Sequence, residues 1–122
     1  MKKLHPSAYI VALATVAVHL AVCHRFGYYR DELYFIDCAK HLAWGYVDQP
    51  PLVPFLVWLT APLGYPVWGL RAFPALLLGV TILIACAIVR ELRGGGLAQT
   101  LTALTLALAP GFAGLAYGVS TE

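Results

Sequence analysis

Ala72-Phe73-Pro74-Ala75-Leu76-Leu77-Leu78-Gly79-Val80-Thr81-Ile82-Leu83-Ile84-Ala85-Cys86-Ala87-Ile88-Val89 runs without a single charge. It reaches the length of roughly 18–20 apolar residues that crosses a bilayer as a helix. Arg71 stands at its mouth, where a long stem can carry the charge out to water. The composition around this run agrees with it. Of 122 residues, 61% are hydrophobic and 11% charged, and the mean hydropathy is +0.77. A soluble domain carries roughly 25% charged residues. This chain has too little polar surface to cover itself, so the expected fold class is an all-α integral membrane protein. A net charge of +2 without a basic run excludes a nucleic-acid footprint.

Two further spans are expected on either side. Residues 7–25 are almost wholly apolar behind the short basic head of residues 1–6. They exceed the h-region of a signal peptide, lack a clear cleavage site and read as an uncleaved first helix. Residues 67–90 are the second span, residues 91–96 with their three glycines a turn, and residues 97–119 a third span. Pro110-Gly111 is expected to kink that third helix. Residues 120–122 follow it without an anchor, and the chain reads as the amino-terminal portion of something longer.

Between the first two spans lies a long loop, residues 26–66, non-apolar as far as Gln49 and then apolar from Leu52 to Gly64. Two interfacial or re-entrant helices are expected in it, at 31–44 and 51–64. In the first, Phe35, Cys38, Ala39 and Leu42 recur at spacings of three and four, with Arg30, Tyr34, Asp37 and His41 on another face. Tyr28, Tyr29, Trp44 and Tyr46 are placed to anchor it at a bilayer surface. Lys2, Lys3, Arg90 and Arg93 fall at one end of this scheme, opposed only by Glu91. The loop sets Arg25, Arg30 and Lys40 against Asp31, Glu32, Asp37 and Asp48. The positive-inside rule then puts the amino terminus in the cytoplasm and the loop outside, in the periplasm for a bacterial inner membrane or the lumen for a eukaryote.

The loop is where chemistry is expected. Tyr28-Tyr29-Arg30-Asp31-Glu32-Leu33-Tyr34 is followed by Tyr46-Val47-Asp48-Gln49-Pro50-Pro51. Carboxylates at a membrane edge are costly to hold and usually functional. At a helix start Asp31 is kept ionised by the dipole and free N–H groups, and can serve as a general base. The same spacing fits a helix cap paired with Arg30 or Arg25. Asp37 with His41 fits a dyad or a solvated polar face. Cys23, His24, Cys38 and His41 have the residue types of a zinc site without its spacing, so no metal is assigned. Nothing in the spacing of Cys23 and Cys38 requires a disulfide. Gly94-Gly95-Gly96 lacks the lysine of a phosphate loop and is a turn.

The Tyr-Tyr-Arg-Asp-Glu-Leu-Tyr run, the helix ending Trp44-Gly45-Tyr46 and the following Asp48-Gln49-Pro50-Pro51-Leu52 resemble the first outer loop of GT-C membrane glycosyltransferases. The nearest branch is glycosyltransferase family 39, with its protein O-mannosyltransferases and aminoarabinose transferases. The resemblance implies an inverting transfer of a sugar from a polyprenyl-phosphate donor to an acceptor hydroxyl or phosphate outside the cytoplasm. It implies no cofactor besides that lipid-linked donor, and partners limited to membrane lipids, donor, acceptor and the rest of the enzyme. It makes Asp31 the catalytic base with Glu32 beside it, and gives substrate binding to Arg30, Tyr34, Asp48, Gln49 and Arg71. Some relatives carry lysine where this chain has Gln49. A small membrane scaffold or partner subunit without catalysis is the alternative.

Overall fold

A computed structural model describes residues 3–25 and 27–111. Among them the regular structure is all helical, with no strand. Helix α1 covers Pro6–Val22 and runs into a 3-10 turn, Cys23–Arg25. Helix α2 covers Arg30–Lys40, α3 Leu52–Trp58, α4 Val67–Glu91 and α5 Gly96–Leu108, with a second 3-10 turn at Ala61–Leu63. Two stretches, Pro6–Arg25 and Val67–Glu91, are long and apolar enough to cross a membrane. The 13 described residues of α5 rise only about 20 Å at 1.5 Å each. Its helix breaks at Ala109, which is extended as the residue before proline prefers. The remainder of the expected third span, residues 112–119, lies outside the described residues.

Helices α1, α4 and α5 pack as one bundle around Ala8, Ala12, Leu78, Ile82, Cys86 and Ala103. Small residues make the close approach possible. A Cβ on Gly79 would lie 2.7 Å from Val16 Cγ2, so only glycine lets α1 and α4 meet there. The same argument holds where α5 begins, since a Cβ on Gly96 would lie 2.7 Å from the His5 ring. Polar side chains clamp that end. Gln99 Oε1 accepts the His5 N–H at 2.9 Å, and the Ser7 and Thr100 hydroxyls are 2.6 Å apart. The starts of α1 and α5 therefore lie together, with Lys3, Arg90 and Arg93 at or beside this end in sequence. At the opposite end, Arg71 in the second turn of α4 bonds backbone carbonyls just after α1.

The α4–α5 turn closes with backbone bonds. Gly94 N–H reaches Val89 C=O at 2.8 Å and Arg93 N–H reaches Arg90 C=O at 2.9 Å. Arg93 adopts the left-handed conformation that this closure requires, a position where glycine is the usual choice.

The loop helices form a second, smaller layer. Phe35 and Ala39 of α2, Val57 of α3 and Leu70 of α4 share a buried cluster. Sequence periodicity places the Phe35 face at a lipid surface; in the structure it packs on protein. Helix α2 also stops earlier than the expected 44. Its cap, His41, leaves helical geometry, and the Tyr46 hydroxyl folds back over the helix end. The expected 51–64 helix is broken after Trp58. Thr60 Oγ1 bonds Val57 C=O, and Gly64 and Tyr65 are both left-handed, which turns the chain into α4.

Candidate functional site

The site is built where α2 begins. Its first turn is Arg30-Asp31-Glu32, preceded by the extended cap residue Tyr29. Four backbone N–H groups at such a start have no partner within the helix, and acidic side chains here are favoured by the dipole. Glu32 turns back, and its Oε2 accepts the Tyr29 N–H at 2.9 Å. The second partner of Glu32 comes from 39 residues away. Arg71 Nε donates to Oε1 at 2.9 Å and Nη2 to Oε2 at 3.0 Å, a bidentate pair. Glu32 is 0% and Arg71 2% exposed.

The rest of the guanidinium is also engaged. Nη1 donates to Cys23 C=O, and Nη2 donates to Gly27 C=O at 2.7 Å. The Tyr29 ring covers its face, 5.0 Å from centroid to Cζ. Every buried side-chain nitrogen and oxygen among the described residues has a partner. A buried charge is tolerated only on such terms. Arg71 is thus a clamp joining the end of α1, the start of α2 and α4. The sequence reading gave it a surface role at the span's mouth; its donors point into the protein instead.

Asp31 occupies the same turn but is half-buried rather than sealed. Two adjacent carboxylates therefore have different environments. Glu32 is held inside by arginine. Asp31 stands in the first turn of the helix, where backbone N–H groups favour acidic side chains. Arg30 is exposed next to it.

Asp48 and Gln49 come to the other end of the same helix. Tyr34 donates to Asp48 Oδ1 at 2.7 Å. Gln49 is buried, its amide 3.6 Å from Cys38 Sγ, and its carbonyl accepts the Tyr46 N–H. The Tyr46 hydroxyl accepts the Ala43 N–H and lies within donating distance of the Cys38 and His41 carbonyls, at 2.8 and 3.0 Å. The carboxylate of Asp48 raises the Tyr34 phenol above its ordinary value, with partial burial and Cys38 adding to the effect. Tyr34 accordingly stays protonated and donates at any physiological pH.

The predicted site residues thus fall into three groups. Arg30, exposed, and Asp31, half-buried, stand at the head of α2. Glu32 and Arg71 form the lock beneath them. Tyr34, Asp48 and Gln49 tie the following loop along the helix. The capping role of Tyr46 and the cation–π cover from Tyr29 had no legible signal beyond their aromatic character. Asp37 and His41 are exposed, and Cys23, Cys38 and Cys86 are buried free thiols. Among the described residues no three His, Cys, Asp or Glu side chains converge as a metal site would require. No family model, curated protein or solved structure matches this chain.

Proposed function

We propose that the chain is the amino-terminal part of an inverting membrane glycosyltransferase that takes a sugar from a polyprenyl phosphate. The observation that supports this reading most is the division of labour between Asp31 and Glu32. A general base must reach an acceptor hydroxyl and remain ionised. Asp31 is half-buried at a helix start that favours its charge, while Glu32 is consumed by Arg71. In this proposal Asp31 takes the acceptor's proton as its oxygen attacks the anomeric carbon. The bond to the donor phosphate breaks on the opposite face, and the polyprenyl phosphate leaves with the electron pair. Displacement of that kind inverts the anomeric configuration. Glu32 and Arg71 are positioning residues, since neither has a free edge toward solvent. Arg30, exposed at the same turn, is placed to attract the donor's phosphate. The charge distribution supports a loop outside the cytoplasm.

The test is transfer by the full-length protein in sealed vesicles of known orientation, with labelled polyprenyl-phosphate sugars and an acceptor supplied to one face. The proposal expects product of inverted configuration only when the acceptor reaches the face bearing the α2 loop. Absence of transfer from a panel of such donors, with the protein folded, would overturn it.

A further inference from the structure

Where the loop layer joins α4, Tyr65 holds a backbone conformation that its side chain disfavours. Its φ of 55° lies in the left-handed region, which bulky residues rarely enter. Gly64 before it, at φ 77°, takes the same region freely. Pro66 follows, and a residue before proline is pushed toward extended backbone instead. Such a residue persists only where its surroundings over-determine it. Three contacts do so here. The Tyr28 hydroxyl donates to the Tyr65 carbonyl at 2.9 Å, across 37 residues of chain. The Tyr65 N–H reaches the Thr60 carbonyl at 3.3 Å, long for such a bond. The Tyr65 side chain, half-buried, packs on the cluster of Phe35, Ala39, Val57 and Leu70.

The two fastenings of the loop layer differ in kind. Arg71 grips Gly27 and Glu32 from within, and both charged groups are sealed from water. Tyr28 grips Tyr65 at the surface, with 44% of Tyr28 exposed. A neutral hydrogen bond there has a small net worth, because water competes for both partners. Breaking it frees Tyr65 to relax toward the extended backbone that Pro66 favours. A change of φ at Tyr65 swings the chain before it relative to α4. The chain as far as Gln49 is tied to α2 through Tyr34, Cys38 and Tyr46. The head of α2 is in turn held by Arg71. The piece left to swing is residues 50–65, between the Pro50-Pro51 bend and the strained residue.

We infer that residues 50–65, with α3 at their centre, form a hinged flap. Tyr65 is its strained hinge, and the Tyr28 hydroxyl is the latch that holds it shut. In the closed form Val57 packs with Phe35, Ala39 and Leu70. Release uncovers that cluster beside Arg71 while the Glu32–Arg71 pair stays fastened. The inference does not depend on sugar transfer.

The test is hydrogen–deuterium exchange, resolved by peptide, on the full chain in detergent. Wild type is compared with Tyr28→Phe, which removes only the hydroxyl. Helix α3 has seven residues, too few to keep its helix once unpacked, so its amides report the opening. Their exchange is expected to quicken by about 2–10-fold, the range that one net hydrogen bond gives, with the first turn of α2 and α4 unchanged. Adding Pro66→Ala lifts the restriction on Tyr65 and is expected to return the rate toward wild type. Unchanged exchange in Tyr28→Phe would overturn the inference. So would a rise shared equally by α2 and α4, since the layer would then loosen as a whole. A local rise that Pro66→Ala leaves in place would put the hinge elsewhere and overturn it as well.

Discussion

Arg71 and Glu32 are each sealed from water, so the consequence of losing one depends on the other. Removing a single partner from a buried pair leaves an uncompensated charge, at a cost of about 3–5 kcal/mol. Glu32→Gln and Arg71→Met are each expected to lose stability on that scale in denaturant unfolding. The double variant should lose clearly less than their sum, though not nothing, because the Cys23 and Gly27 carbonyls lose their donor. Additive losses would mean that the pair is not coupled. The Tyr34–Asp48 bond makes a different prediction, in pH. An unperturbed phenol titrates near 10, and the folded phenol titrates higher, so the folded state holds its proton longer. Its stabilisation is complete below the unfolded value and fades only as alkali approaches the folded one. Phenolate absorbance should show a tyrosine titrating late, returned toward the ordinary value by Asp48→Asn. Sequence shows Arg71 as a lone cation at a span's mouth, but not its partner 39 residues earlier. Residue type and spacing do not separate Asp31 from Glu32, which are adjacent and chemically alike; the fold turns Glu32 inward.

The spans are legible as elements because composition alone produces them. Uncharged runs of this length are long enough to cross a bilayer as helices. The ends of the loop helices are not legible, because contacts distant in sequence decide them. Tyr46 closes α2 from eight residues beyond Cys38, and nothing in the 31–44 pattern announces it. Periodicity likewise marks an apolar face without saying whether lipid or protein covers it, which is how the Phe35 face came to lie against Val57 and Leu70. The α1–α4 contact offers a test of packing at this scale. Gly79→Ala pushes a methyl against Val16 and should cost about 1–3 kcal/mol by overpacking. Adding Val16→Ala should recover most of that loss in thermal unfolding in detergent. No rescue would show that the strain lies elsewhere.

Taken whole, the molecule is a helical bundle with a chemically distinct end. The starts of α1 and α5 meet at one pole, clamped by His5, Ser7, Gln99 and Thr100. The acidic, aromatic loop lies at the other, fastened by Arg71. This bipolar plan follows from the alternation of long apolar helices with a polar loop. The lock beneath the loop was not legible in sequence, since it joins three segments that sequence keeps apart. In the proposed transfer, the lock holds the turn from which Asp31 acts as base. That role is tested most directly by transfer rates of full-length Asp31→Asn beside wild type, with unfolding midpoints measured on the same samples. The account predicts a rate lower by about 10²–10⁴-fold, the usual contribution of a general base, at an unchanged midpoint. Transfer by folded Asp31→Asn at the wild-type rate would contradict it.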